Sequence, residues 1–241
     1  TLDTYGPDAT RWYMITNAQP WDNLKFDLDG ITEVQRKFFG TLYNTYSFFA
    51  LYANIDDFDY SEEDLPLNER PEIDRWVLSK LNSLIKNVDE AYENYEPTKA
   101  GRLVQEFVGD QLSNWYVRLC RRRFWKQSTD DSSGIKDKRS AYQTLYTCME
   151  TVALLGAPIA PFFMDQLFSD LNSVSKKYKF ESIHLADFPC VQEDHINVDL
   201  ERQMEIAQRT CSLVLGLRKK ENIRVRQPLQ KIMVPVLSDE F

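Results

Sequence analysis

Residue types that do chemistry are sparse in this chain and badly spaced for catalysis. The four cysteines, Cys120, Cys148, Cys190 and Cys211, form no C-x-x-C pair, so neither a tetrahedral zinc site nor a disulfide framework is expected. Histidine occurs twice, at His184 and His195. No H-E-x-x-H, G-x-S-x-G or G-x-x-x-x-G-K-[ST] segment is present, and the eight glycines do not cluster as a dinucleotide loop requires. No residue is therefore nominated as catalytic or as a metal ligand, and no cofactor is expected within these residues.

Charge is the stronger signal. Residues 113–126 carry five bases (Arg118, Arg121, Arg122, Arg123 and Lys126), no acid, and four aromatics (Trp115, Tyr116, Phe124 and Trp125). The whole chain is acidic, with 29 Lys and Arg against 37 Asp and Glu and a net charge of −8. A basic run on an acidic protein fits a specific polyanion, because general phosphate affinity favours a basic chain. At helical spacing Arg118 shares a face with Arg122, and Arg121 with Trp125. Guanidinium forks beside rings suit phosphates and unstacked bases. The alternative is a solvated helix end whose arginines oppose the helix dipole, with Trp115 and Leu119 in the core stripe. Like charges at i, i+4 destabilise an unliganded helix, which favours the polyanion, and Trp115 is assigned to the core either way. A second basic stretch, residues 217–231, holds Arg218, Lys219, Lys220, Arg224, Arg226 and Lys231 against Glu221. It reads equally as helix-end charges with a solvated turn or as a further nucleic-acid contact.

The elements that must carry these groups are helices. Ile73, Val77, Leu81, Leu84, Val88, Ala91 and Tyr95 lie along one face of a helix starting at Pro71. Val104, Val108, Leu112, Trp115 and Leu119 repeat the rule after Pro97. Ala141, Leu145, Cys148, Val152 and Leu155 mark another, as do Leu200, Met204, Ala207, Cys211 and Val214, with a shorter one at Phe163, Leu167 and Leu171. A long, largely buried helix is expected over residues 32–53, opened by a Thr32-x-x-Gln35 capping box. An early helix begins at Gly6-Pro7-Asp8. Residues 56–64, with six acids and no base, and the polar stretches 128–134 and 173–179 are expected as solvated loops. Only residues 231–237 read as a strand.

These 241 residues, 43% hydrophobic and 27% charged, suffice for a core burying roughly 70% of the unfolded surface, and no apolar run reaches membrane-spanning length. The opening Thr1-Leu2-Asp3-Thr4 has neither a leader nor a starting Met, as expected of a piece cut from a larger chain.

The segment Asn114-Trp115-Tyr116-Val117-Arg118 with Arg121-Arg122-Arg123-Phe124-Trp125 resembles a helix of the anticodon-binding domain in the isoleucyl-tRNA synthetase family, class I aminoacyl-tRNA synthetases. Tyr5-Gly6-Pro7-Asp8-Ala9-Thr10-Arg11-Trp12-Tyr13 is similar to the helix after that family's Lys-Met-Ser-Lys-Ser loop. Residues 36–46 look like the long helix opening its bundle, and Ala157-Pro158-Ile159-Ala160-Pro161-Phe162 like a turn shared with the valyl and leucyl enzymes. His184-Leu185-Ala186-Asp187 and Arg224-Val225-Arg226-Gln227-Pro228-Leu229 complete a resemblance that spans the chain. It implies an all-α anticodon-binding bundle with a short C-terminal strand, divided into a stem-contact segment (1–30), the helical domain (31–222) and the start of a junction region (223–241). It also implies a cytoplasmic enzyme that uses ATP and magnesium to join isoleucine to its tRNA. The family's His-Ile-Gly-His signature and its editing domain are not among these residues, so the segment is expected to be inactive alone and to hold no cofactor. The expected partners are the isoleucine tRNA and the rest of the synthetase chain, with no membrane. A valyl, leucyl or methionyl counterpart, or a helical protein-interaction module, are the alternatives. The tRNA-contact candidates are Arg118, Arg121, Arg122, Arg123, Trp125, Lys126, Arg218, Lys219, Lys220, Arg224 and Arg226.

Overall fold

The computed structural model describes residues 1–125 and 132–234; Lys126 and residues 235–237 of the expected strand lie outside them. Packing separates two compact units, the first running Thr1–Val198 and the second beginning at Asp199. Among the described residues every regular element is helical.

In the first unit a short α1 (Leu2–Tyr5) turns at Gly6, whose φ of 79° lies where a side chain is strained, into α2 (Pro7–Asn17). Pro7 takes the first helical position as expected. Asp8 is buried and accepts a hydrogen bond from Phe163 N at 2.6 Å, tying α2 to a later helix. Trp12 is fully buried, stacks on Phe38 with ring centroids 4.0 Å apart, and donates its indole N–H to Gln105.

Residues 28–55 form one continuous rod: α3 (Leu28–Val34), a wider π-helical turn (Gln35–Phe39), and α4 (Gly40–Ile55). The expected start at Thr32 is corrected. Asp27, itself in extended conformation, caps the rod by accepting from Asp29 N at 3.0 Å, and Thr32 sits inside the helix donating to Leu28 O.

The next helix, α5 (Glu72–Glu93), follows Pro71 and buries Val77, Leu81, Leu84, Val88 and Ala91 along the expected stripe. Tyr95 departs from it, left-handed at φ 57° and exposed beyond the helix end. A second rod then runs from Pro97 to Trp125 as α6 (Pro97–Glu106), a long π-helical segment (Phe107–Val117) and α7 (Arg118–Trp125). Here the expected stripe is wrong at its C-terminal half. Val104, Val108, Leu112, Tyr116, Cys120 and Phe124 are buried in steps of four, with Phe107 and Val117 buried beside them, while Trp115 is half-buried and Leu119 exposed. An α-helix overshoots by about 40° at each step of four. The wider π turns take up that drift, so Tyr116 replaces Trp115 in the core.

The central helix is α8 (Ser132–Gly156), burying Ala141, Leu145, Cys148, Val152 and Leu155 as expected, followed by α9 (Pro161–Ser175). Residues 56–64 form a loop without regular structure, with Asp57, Asp59 and residues 61–64 exposed as expected, but it is tied to α8 at several points. Asp56 accepts from Tyr142 and pairs with Lys138, Glu62 pairs with Arg139, Phe58 stacks on the Tyr142 ring, and Gln143 donates to Glu63 O. Two of the six acids, Asp56 and Glu62, find counter-charges on α8, which sequence spacing does not reveal.

The second unit consists of α10 and the segment after it. The helix, α10 (Val198–Lys220), leaves Ala207 and Cys211 of its stripe exposed. Lys231, Ile232, Met233 and Val234 are not in a strand, contrary to expectation for that part of the stretch.

Candidate nucleic-acid interface

The second rod of the first unit ends in two turns of α7 with two chemically opposite faces. At 100° per residue, Arg118, Arg121, Arg122 and Trp125 fall within an arc of about 100°. All four are exposed, Trp125 at 53%, and none of the three arginines has an ion pair among the described residues. The other side of the helix buries Cys120 and Phe124; the Phe124 ring meets Phe48 of α4 and Tyr142 of α8 edge-on.

Arg123 belongs to the buried side, which corrects its candidacy as a polyanion contact. Its side chain is only 14% exposed. It donates from Nη1 to Asp74 Oδ1 at 2.6 Å and from Nη2 to Asp74 Oδ2 at 2.8 Å, and reaches the Asp137 carboxylate and carbonyl as well. Asp74, fully buried, also accepts from Tyr116 Oη at 2.8 Å and Ser140 Oγ at 2.5 Å. A buried carboxylate needs such complete pairing, and with Nη1 also donating to Cys120 Sγ at 3.5 Å all five N–H groups of Arg123 are engaged, leaving none for a phosphate. Burial pushes the Tyr116 hydroxyl well above its usual range, with the Asp74 charge adding to it. Burial also lifts the Cys120 thiol to about 11, against the opposing pull of Arg123. That thiol is therefore inert near neutrality.

Asp74, Asp137 and Ser140 were not visible as functional from sequence. The signal for Asp74 is its place on the core side of α5, one helical turn before Leu78 and two before Leu81, where an unpaired acid would not survive.

In the second unit, Arg218 is engaged through one nitrogen. Its Nη1 donates to Arg224 O at 2.8 Å and Gln227 O at 2.9 Å, folding the following turn back on the end of α10. Lys219, Lys220, Arg224 and Arg226 are exposed. The first unit thus brings Arg118, Arg121, Arg122 and Trp125 together, and the second carries the other candidates. Among the described residues no group of three or more His, Cys, Asp or Glu side chains is placed to hold a metal ion, and all four cysteines are free thiols.

Residues 74–233 match the family described as the anticodon-binding domain of tRNA ligase. The chain belongs to that family. Both basic stretches and the Asp74 anchor lie inside the matched span. The chain is 67% identical over 237 residues to an isoleucine–tRNA ligase of Cytophaga hutchinsonii, covering 98% of this chain and 21% of that protein. It is 63% identical over 239 residues to the isoleucine–tRNA ligase of Bacteroides fragilis (99% of this chain, 20% of the relative) and 45% identical over 237 residues to that of Dehalococcoides mccartyi (98% and 23%). The chain therefore spans about a fifth of the length of these relatives. Within this anticodon-binding family member, the all-α bundle is the expected fold, and no helix among the described residues is long and apolar enough to cross a membrane.

Proposed function

We propose that this chain is the part of a cytoplasmic isoleucine–tRNA ligase that holds the anticodon arm of the isoleucine tRNA. The carrying observation is the single exposed face of α7, where three arginines free of ion pairs among the described residues flank an exposed tryptophan. Guanidinium groups donate paired hydrogen bonds to phosphates, and an indole gives an unstacked base a platform. Arg123 supports this role indirectly: clamped to Asp74 and Asp137, it fixes the orientation of a helix only two turns long. Lys126, outside the described residues, follows Trp125 in sequence and is kept as a candidate, and Lys219, Lys220, Arg224 and Arg226 form a further contact in the second unit. In this reading residues 1–30 are the stem-contact segment, 31–222 the helical domain and 223–241 the beginning of the junction.

The isoleucine specificity rests on the names of relatives as much as 67% identical to this chain. ATP, magnesium and isoleucine act in parts of the enzyme beyond these residues. The chain alone then gives no isoleucine-dependent exchange of pyrophosphate into ATP. The decisive experiment is filter retention of isoleucine tRNA at two salt concentrations. The double variant Arg121→Ala/Arg122→Ala weakens binding and reduces the salt slope by about one per lost phosphate contact, without loss of helicity. Unchanged affinity and slope in a folded variant would overturn the assignment.

A further inference from the structure

A half-open cavity of about 770 Å³ lies in the first unit between α5 and α8, rimmed by the loops around residues 64–70, 177–180 and 187–195. Its size falls within the range of small-molecule sites. Leu81, Ile85, Leu154 and Phe188 supply apolar wall. Glu150 of α8 also lines it and is only 5% exposed. Its Oε2 accepts from Lys177 Nζ at 2.7 Å, while Oε1 is buried and has no donor among the described residues. A buried acceptor left unpaired is costly, so the geometry favours an incoming donor.

The charges decide which kind of donor. Asp64, Glu150 and Asp187 stand around the cavity against Arg70 and Lys177, leaving one carboxylate in excess. Arg70 is already committed to Leu65 O at 2.9 Å and Thr144 Oγ1 at 2.8 Å. A ligand with one positive charge balances the set, and an anion is repelled. We infer that this cavity is a binding site for a small organic cation whose primary ammonium donates to Glu150 Oε1 and whose hydrocarbon body covers the apolar wall. Lys177 acts as its cap. The Lys177 side chain is 41% exposed, so its flexible stem can move to admit the ligand's ammonium beside Glu150. None of these residues lies on α7, and the inference stands apart from the tRNA reading.

The probe is phenethylammonium, with 2-phenylethanol as the uncharged analogue, titrated into the 241-residue chain and followed by amide NMR. The expected result is saturable shifts confined to residues 78–85, 147–154 and 187–192. The dissociation constant rises roughly tenfold or more for the alcohol and for Glu150→Gln, whose spectrum stays that of the wild-type fold. A second measurement needs no variant. Cys190 is exposed and lines the cavity, whereas Cys211 is exposed on α10, so the amine slows iodoacetamide alkylation of Cys190 and leaves Cys211 unaffected. Absence of saturable shifts in the wild type means that water alone satisfies Oε1, and the inference fails. It fails equally if Glu150→Gln binds as well as wild type or if Cys190 is not protected.

Discussion

The Arg123 guanidinium grips the Asp74 carboxylate in a two-pronged bond, Nη1 to Oδ1 at 2.6 Å and Nη2 to Oδ2 at 2.8 Å, with Asp74 fully buried. Removing one partner of such a pair strands the other. Arg123→Ala should cost about 3 to 5 kcal/mol, whereas the double replacement Arg123→Met/Asp74→Leu should recover most of it by exchanging the pair for apolar contact. Urea unfolding of the three proteins checks this. A single-variant cost under about 1 kcal/mol would mean that water compensates Asp74.

The π-helical segment makes a second prediction. Leu112 is fully buried and Trp115 only half-buried, so Leu112→Ala should cost about 2 to 5 kcal/mol and Trp115→Ala less than Leu112→Ala. Thermal melts rank the two. The reverse order would restore Trp115 to the core and remove the reason for the widened turns.

Much of the bundle is legible because its helices obey a 3.6-residue period: α8 buries every residue its stripe nominates, and α5 all but Ile73 and Tyr95. What escaped was decided by partners distant in sequence. The face of residues 107–125 shifted because π turns alter the period, which composition does not announce. The cap of α3 moved because Asp27 competes with Thr32 for the same job and stands where the chain first turns helical. Arg123 reads like its neighbours Arg121 and Arg122, and only the position of Asp74, 49 residues earlier, separates a structural arginine from two exposed ones. The loop at residues 56–64 shows only its acids in sequence, and the α8 bases that pair with Asp56 and Glu62 lie about 75 residues or more away.

Close packing of α6 against α2 gives a third prediction. A methyl group added at Gly101 would meet Thr16 Cγ2 at 2.6 Å and Ile159 Cδ1 at 3.2 Å. Both neighbours are held, Thr16 by its own hydrogen bond to Trp12 O and Ile159 by burial. Gly101→Ala should therefore destabilise by about 1 to 3 kcal/mol despite the better helix propensity of alanine. A melting temperature equal to or above wild type would show that the contact yields freely.

Stability should fall at alkaline pH, and Cys120 contributes to the fall. Its folded thiol is raised by burial to about 11 from an ordinary value of 9.0. Between those values the unfolded chain has released the proton and the folded chain retains it, so the unfolded state binds fewer protons and stability drops as pH rises. The loss from this group is on the order of 2 kcal/mol by about pH 11, and Tyr116, raised further by burial and Asp74, extends the decline above about pH 10. Urea midpoints compared at about pH 8 and pH 10.5 should show the decline, and Cys120→Ala should flatten it between pH 9 and 11. A midpoint independent of pH across that window contradicts it.

The last prediction separates stacking from charge at the proposed interface. Trp125 is 53% exposed at the end of α7, beside three arginines with no ion pair among the described residues, so deleting its ring removes little core contact. If the ring stacks on an unpaired base of the anticodon loop, Trp125→Ala should weaken tRNA binding by about 1 to 3 kcal/mol. Its slope of log affinity against log salt should stay that of wild type, because no phosphate contact and no counterion release is lost. Trp125→Phe should keep most of the affinity by preserving a π-face, and Arg121→Ala should do the opposite, altering the slope. Filter retention at several salt concentrations, alongside melting curves that should stay unchanged, measures both effects. A Trp125→Ala protein that binds tRNA like wild type would place the stacking surface elsewhere and leave α7 an electrostatic contact alone.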